Sequence, residues 1–185
     1  MHHVRLAVAD DLPTILEISN WAALHTAANF AIEPESFDSW SRSFLDTSER
    51  YPWLVADTGG AVIGFAKASP WKGRCAYHWA AETTVYVQPD AHGRGIGRAL
   101  YVRLIDLLDR QGYRTLLGGI TLPNVASVAL HESCGFRHVA TFERVGWKFD
   151  RWHDVGYWER LLGASDETPR AIRPVREVAG AASLS

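Results

Sequence analysis

Cysteine is scarce in this sequence, because Cys75 and Cys134 are the only two among 185 residues. Two cysteines cannot form the disulfide framework of a small secreted domain, so we expect both to be free thiols. No Cys–His spacing is typical of a zinc site, and no two of the eight histidines flank a glutamate at i, i+4. The sequence therefore predicts no metal site.

Long apolar runs and an excess of one charge are also missing. No segment approaches the roughly 20 apolar residues that span a bilayer, and the first residues lack the apolar core of a signal peptide. Lysine and arginine number 19 against 21 acidic residues, for a formal net charge of −2. This balance argues against a protein that coats nucleic acid or an anionic membrane. We expect a cytoplasmic protein with neither as a partner.

The composition that remains is that of a globular chain, with 47% hydrophobic and 22% charged residues. Strand and helix signals alternate as far as residue 162 and then lose their periodicity. We therefore predict a single domain over 1–162 and a C-terminal tail over 163–185. Hairpins with interposed helices predict a mixed α/β sheet, and not the strict strand–helix alternation of a doubly wound fold.

Several element boundaries follow from local patterns. Asp10 is predicted to cap the first helix, with Pro13 in its first turn. An apolar stretch predicts a long strand over 76–87. The last two strands are predicted at 138–144 and 155–162, with a polar connection containing glycine and tryptophan between them.

A glycine cluster, Gly93, Gly95 and Gly97, joins the 76–87 strand to a strong helix. Unpaired backbone N–H groups at a helix N-terminus attract anions, and glycines let a pyrophosphate approach the backbone. Arg94 and Arg98 add positive charge. The spacing does not match the dinucleotide fingerprint, and no Gly-Lys-Ser/Thr of a Walker loop follows. Without further context, a structural tight turn explains the glycines equally well.

The context of the loop is more specific. The long helix is followed by a strand, by Asn124 and by the run Leu130-His-Glu-Ser-Cys-Gly-Phe136. This order resembles the Gcn5-related N-acetyltransferase (GNAT) family, in which an Arg/Gln-x-x-Gly-x-Gly/Ala loop holds the pyrophosphate of acetyl-CoA. Here the same positions read His92-Gly-Arg-Gly-Ile-Gly97, with histidine in place of Arg or Gln.

Longer strings resemble one branch of that family, the phosphinothricin and methionine sulfoximine N-acetyltransferases. They include Arg50-Tyr-Pro-Trp-Leu-Val-Ala56, Ala81-Glu-Thr-Thr-Val-Tyr-Val87 and Gly146-Trp-Lys148. The resemblance implies a mostly antiparallel central sheet flanked by helices, with acetyl-CoA in a cleft beside strand 82–87. It also implies transfer of an acetyl group to the α-amine of a small amino-acid analogue, and a homodimer with the C-terminal strands near its interface.

The resemblance further implies which residues bind acetyl-CoA. The strand contributes backbone groups, the glycine loop contributes a phosphate cradle, and the opposite wall contributes polar side chains. These residues are Val85, Tyr86, Val87, Gly93, Arg94, Gly95, Ile96, Gly97, Arg98, Asn124 and Ser133.

Two residues are catalytic candidates. Glu82 lies within the strand, where a carboxylate is costly to bury without a partner or a role. The family implies a general base with a pKa raised by burial, whereas a salt bridge to Lys72 or Arg74 is the structural alternative. His131 stands where many family members have a tyrosine that protonates the departing thiolate. It is predicted to act in acid/base chemistry or to bind substrate, and a purely structural histidine is the alternative.

The predicted substrate site combines Glu82 with Phe30, Lys72, Arg74 and Tyr77. An amino-acid carboxylate needs a cation, and arginine can bind one through two hydrogen bonds. A solvated loop position for Lys72 and a core position for Phe30 are the alternatives. At the level of function, the alternatives are acetylation of a protein or peptide N-terminus, acetylation of another small amine, and a non-catalytic sensor of acetyl-CoA.

Overall fold

The computed structural model describes residues 2–163 and 168–180, in which seven strands form one sheet. The strands are β1 (His3–Leu6), β2 (Trp53–Thr58), β3 (Ala61–Pro70), β4 (Ala80–Val87), β5 (Thr115–Leu122), β6 (Arg137–Lys148) and β7 (Arg151–Leu161). Their order across the sheet is β1-β2-β3-β4-β5-β7-β6. Every neighbouring pair is antiparallel except β4 and β5.

The parallel pair opens the sheet in its middle. On one side, β4 pairs with β3 as far as Val87, but on the other side it pairs with β5 only over residues 80–82. Beyond Glu82 the two parallel strands therefore separate. The gap between them is the place where a ligand can reach the backbone of β4.

Helices cover both faces of the sheet. They are α1 (Leu12–His25), α2 (Phe37–Thr47), α3 (Ile96–Gln111), α4 (Val125–Ser133) and α5 (Val175–Ala179). One core cluster joins α3 to the sheet, and a second joins α1 and α2 to the opposite face through Trp40, Trp53 and Phe65. This mixed sheet between helices confirms the predicted fold class.

The central helix, α3, is anchored by leucines at helical spacing. Leu100, Leu104 and Leu108 are fully buried, and each contributes about 1.5–3 kcal/mol through burial. Gly112 ends the helix in the left-handed conformation, with φ of 100°. The N-terminus of α3, at its opposite end, lines the same cleft as the end of β4.

Three predicted boundaries are wrong. The first helix begins at Leu12, because the Asp11 carboxylate accepts the Val8 N–H and pairs with Arg5, so Asp10 is not its cap. Residues 75–77 form a 3₁₀ turn, and the strand predicted from 76 begins at Ala80. The connection predicted between the last strands is itself a hairpin, whose turn residues Phe149 and Asp150 have φ of 51° and 56°. That turn contains neither the Asn-Gly nor the Asp-Gly signal of such turns.

Part of the segment predicted as a tail packs on the sheet-covering helices. Val175 and Val178 of α5 are buried, and the Gln111 side chain donates hydrogen bonds to the carbonyls of Arg173 and Arg50. Residues 164–167 and 181–185 of this segment lie outside the described residues. The division at residue 162 stays a prediction.

Both cysteines are free thiols as predicted, with Cys75 exposed and Cys134 buried. Among the helices that the structure describes, none combines the length and the apolar character needed to cross a membrane.

Candidate active site

Two adjacent pockets meet at β4. The large cleft, of about 610 Å³, runs from residues 83–88 of β4 and its end to the N-terminus of α3 and to α4. The side pocket, of about 420 Å³, lies on the α1–α2 side of the sheet. Both are lined by Thr84, Tyr86, Gly119 and Thr121, so a molecule in one can reach a molecule in the other.

The glycine loop forms an open cradle at the end of the large cleft. Gly93 and Gly95 have φ of 72° and 76°, and a Cβ at either position would meet no atom within 4 Å. Gly95 is also the N-cap of α3, so the first N–H groups of that helix face the cleft. Gly97 differs from these two glycines because it is closely packed: a Cβ added there would lie 3.2 Å from the Leu130 side chain of α4. The arrangement can bind a phosphate through backbone N–H groups and the helix dipole.

His92 ties this loop to the strand before it. Its Nε2 donates a hydrogen bond of 2.9 Å to the carbonyl of Val87, the last residue of β4. The side chain is therefore used to hold the loop against the strand. In the sequence His92 is notable only as a departure from the family pattern, and the motif alone contains no signal for this contact.

The cleft-facing edge of β4 is open over residues 85–87. These residues pair with β3, and pairing with β5 has already ended at Glu82. Backbone N–H and C=O groups on that side can therefore pair with an extended ligand, as an added strand would. Tyr86 Oη is engaged elsewhere, donating to the carbonyl of Ala28 at 3.1 Å.

The large cleft brings together most of the predicted cofactor residues. Those on its wall are Val85, Tyr86, Val87, Gly93, Gly95, Ile96, Gly97, Arg98 and Asn124. Arg94 and Ser133 are exposed and lie outside the wall. Ser133 Oγ donates instead to the Leu130 carbonyl at 2.8 Å. Asn124 caps α4 by accepting the Ser127 N–H through Oδ1, which leaves its amide N–H groups for a ligand.

Glu82 is half-buried in the wall of the side pocket. Burial raises the pKa of its carboxyl above the usual value, and the positive charge of Lys72 opposes that rise. Neither Lys72 nor Arg74 lies within ion-pair distance of it, so the alternative of a salt bridge is not observed among the described residues. A carboxylate with a raised pKa that forms no ion pair among the described residues is suited to accept a proton.

His131 lies in the wall of the large cleft, but it is buried and both ring nitrogens are engaged. Nδ1 donates to the Ser127 carbonyl at 2.8 Å, which makes Nε2 the acceptor in the neutral ring. Tyr101 Oη donates to that Nε2 at 2.9 Å. Burial lowers the pKa of the His131 imidazole, and the bond to Ser127 opposes this effect. The structure thus places His131 in a network that favours its neutral form.

The predicted substrate residues divide into two groups. Phe30 and Glu82 line the side pocket. Lys72, Arg74 and Tyr77 lie exposed on the connection between β3 and β4, outside the walls of both pockets. A carboxylate clamp by Arg74 therefore stays a prediction.

Two further residues shape the side pocket and were not selected from the sequence. Lys148 is buried, and its ammonium donates to the carbonyls of Ala23, Asn29 and Ala31, which holds the segment that carries Phe30. Tyr157 lines the pocket from β7, where its ring packs edge-on against Trp71. Their strands are distant in sequence from Glu82, so no local motif indicates them.

Comparison with known proteins identifies the family. The model of the acetyltransferase (GNAT) family matches residues 16–136. The chain belongs to this family. It is 39% identical to the phosphinothricin N-acetyltransferase of Streptomyces viridochromogenes over 175 residues, which are 95% of each chain. It is 36% identical to the L-methionine sulfoximine/L-methionine sulfone acetyltransferase of Salmonella typhimurium, over 86% of this chain and 94% of that one.

A solved structure agrees with the sequence comparisons. The GNAT superfamily phosphinothricin acetyltransferase of Sinorhizobium meliloti, in complex with acetyl-CoA, superposes with a TM-score of 0.87. The two are 35% identical, and the match covers 91% of this chain and 93% of that one. The family and branch resemblance inferred from the motifs is confirmed, and the chain is an N-acetyltransferase.

Proposed function

We propose that this acetyltransferase transfers the acetyl group of acetyl-CoA to the α-amino group of a small amino-acid analogue such as phosphinothricin or methionine sulfoximine. One observation carries the proposal. The side pocket, which is lined by Glu82, adjoins the large cleft along β4 and shares Thr84 and Tyr86 with it. An amine held in the side pocket can therefore approach a thioester held in the cleft.

The chain's own residues fit acetyl-CoA. Gly93, Gly95 and the first turn of α3 would hold the pyrophosphate, because no side chain fills the space in front of them. The open edge of β4 would pair with the pantetheine arm. When bound, acetyl-CoA supplies an acyl thioester, and a backbone N–H of β4 would stabilise negative charge on its carbonyl oxygen.

Glu82 is the proposed general base. Its carboxylate accepts a proton from the α-ammonium group, directly or through a water, and the free amine attacks the thioester carbon. A C–N bond forms as the C–S bond breaks, the electron pair leaves on the thiolate of CoA, and the second proton that the nitrogen must lose passes to that thiolate or to water. A thiol has a pKa of about 8.5, so the thiolate can leave near neutral pH without a protein acid. His131 is assigned no step here, and its acid/base role stays a prediction.

The other proposed features concern recognition and assembly. Arg74 is proposed to bind the α-carboxylate of the acceptor from the exposed connection before β4. The chain is also proposed to form a homodimer. Its outer β6–β7 surface supports this, since it exposes the apolar side chains of Phe142, Val145, Trp147 and Trp152.

The test is a steady-state panel that measures thiol release from acetyl-CoA. The acceptors are phosphinothricin, methionine sulfoximine, their carboxamides and a short peptide with a free N-terminus. We expect turnover of the two amino acids and rejection of the amides and the peptide. Arg74→Ala should reduce the ratio of kcat/KM for the carboxylates to kcat/KM for the carboxamides by about 10- to 150-fold, as expected for loss of a charged hydrogen bond. Efficient turnover of the peptide alone would replace this proposal with acetylation of protein N-termini.

A further inference from the structure

Lys67 is the one cationic side chain among the described residues that line the side pocket. It lies on β3, opposite Thr84 of β4 and opposite Trp53 of β2. Residues that pair across a sheet share a face, and so do alternate residues of one strand. The side chains of Lys67, Thr84 and Glu82 therefore project from the same face, so that the proposed base and a cation open into one pocket.

The surroundings of Lys67 leave its hydrogen-bonding capacity unused. Its Nζ lies 4.6 Å from the ring centroid of Trp40 and 4.4 Å from that of Trp53. Within residues 2–163 and 168–180, its ammonium has no hydrogen bond and no ion pair. Glu35, which lines the same pocket, acts on it only through space: burial lowers the pKa of the Lys67 ammonium, and Glu35 opposes that. Aromatic faces attract a cation, but they do not satisfy its three N–H donors.

The direction of the Lys67 side chain suggests which part of a substrate it meets. The ammonium lies against the ring of Trp53, a residue of β2, and β2 is on the other side of β3 from the strand of Glu82. Neighbouring strands are about 4.8 Å apart. The α-carboxylate of an amino acid is bonded to the carbon that carries the amine, so it must stay near Glu82. The end of the acceptor's side chain can extend towards Lys67.

On the basis of the acetyltransferase activity proposed above, we propose that Lys67 binds an anionic group at the end of the acceptor's side chain. The phosphinate of phosphinothricin is such a group, with oxygens that accept N–H hydrogen bonds and a negative charge at neutral pH. The side chains of methionine sulfoximine and methionine sulfone are uncharged. Lys67 thus makes the enzyme selective for acceptors with anionic side chains. Losing one charged hydrogen bond corresponds to about 10- to 150-fold in kcat/KM.

The experiment compares phosphinothricin with methionine sulfone, using the full chain and acetyl-CoA. Lys67→Met keeps an apolar stem between the two indoles and removes the charge, whereas Lys67→Arg keeps the charge. Arg42→Met is the matched control, because Arg42 is exposed on α2 and lines neither pocket. Urea unfolding of each variant checks that it is folded.

We expect the wild type and Arg42→Met to prefer phosphinothricin by about 10- to 150-fold. Lys67→Met should lose this preference through a higher KM for phosphinothricin, while its KM for methionine sulfone changes little. Lys67→Arg should retain the preference. An equal loss for both acceptors in folded Lys67→Met would overturn the inference, since it would make Lys67 a support of the pocket wall. A wild type without the preference would overturn it too, while leaving the proposed acetyltransferase activity intact. Turnover of neither acceptor would overturn that activity and this inference together.

Discussion

Tyr101 and His131 are joined by a hydrogen bond of 2.9 Å from the phenol to Nε2 of the imidazole. Tyr101 lies on α3 and His131 on α4, and both are buried beneath the large cleft. The hydroxyl oxygen of Thr83 on β4 lies 3.2 Å from the same phenol oxygen, within hydrogen-bond distance. One polar network therefore connects the strand, the glycine-loop helix and the opposite wall, so the geometry of the cleft depends on it.

Tyr101→Phe is expected to destabilise the fold. It removes the donor to His131 Nε2 and leaves a buried acceptor unsatisfied, which lowers the free energy of unfolding by about 1–3 kcal/mol. Urea denaturation measures the change. Tyr113→Phe is the control, because its phenol makes a longer bond of 3.3 Å to the Arg50 carbonyl, away from the cleft. A free energy of unfolding equal to that of the wild type in Tyr101→Phe would show that this hydrogen bond does not contribute to stability.

Glu82→Gln keeps the shape of the side chain and removes the proton acceptor. We expect kcat to fall by about 10²- to 10⁴-fold, with the affinity for acetyl-CoA retained because Glu82 lies outside the wall of the large cleft. Steady-state kinetics and calorimetry measure the two quantities. A kcat that remains at the wild-type value from pH 6 to 9 would reassign Glu82 to a structural role.

Lys72→Met tests the electrostatics of the same carboxyl. The base must be deprotonated, so the rate should rise with pH through the pKa of Glu82, which burial raises and Lys72 lowers. Removing the positive charge lets the pKa rise further, so the acidic limb of the pH–rate profile should move to higher pH. The profile of kcat/KM is the readout. A shift to lower pH would mean that another group is the base.

Gly95→Val tests the phosphate cradle. A β-branched residue at φ of 76° is strained, and its side chain occupies the space in front of the first turn of α3. Acetyl-CoA should bind at least about tenfold more weakly, as after loss of a charged hydrogen bond. Gly60→Val is the matched control, since Gly60 also has positive φ and open space but lies in the β2–β3 turn. Equal acetyl-CoA affinity in both folded variants, measured by calorimetry, would exclude the loop from the site.

The proposed homodimer predicts that the outer β6–β7 surface is covered in solution. Trp147 and Trp152 pack edge-on at 5.3 Å and are 55% and 57% exposed in the single chain. Replacing both with serine should weaken the dimer by about 30-fold or more, the effect of truncating an interface hot spot. Val102→Ser, at an exposed apolar residue of α3, is the control. Sedimentation of the wild type as a monomer at micromolar concentration would reject the dimer.

Local patterns were sufficient for the features that depend on local rules. The glycine loop and helix α3 could be predicted because positive φ, helix capping and apolar spacing are properties of neighbouring residues. Asn124 was placed on the wall of the large cleft from its position in the motif. Glu82 was selected because a carboxylate within an apolar strand is unusual. The roles proposed for these residues in binding and catalysis remain predictions.

Other features depend on contacts between distant parts of the chain, and no local pattern predicts them. Lys67 becomes the cation of the side pocket only because β2, β3 and α2 bring Trp53 and Trp40 against it. Arg74 was selected for its charge, but the connection before β4 leaves it outside the pocket wall.

The sequence by itself determined the family, the mixed sheet and the position of the glycine loop, because these depend on residue order and short-range geometry. The tertiary structure decided how the site is assembled. β4 separates from β5 after Glu82, and this single change of pairing creates the gap in which the two pockets meet. Strand pairing joins residues far apart in the chain, and its register follows from the packing of the whole sheet.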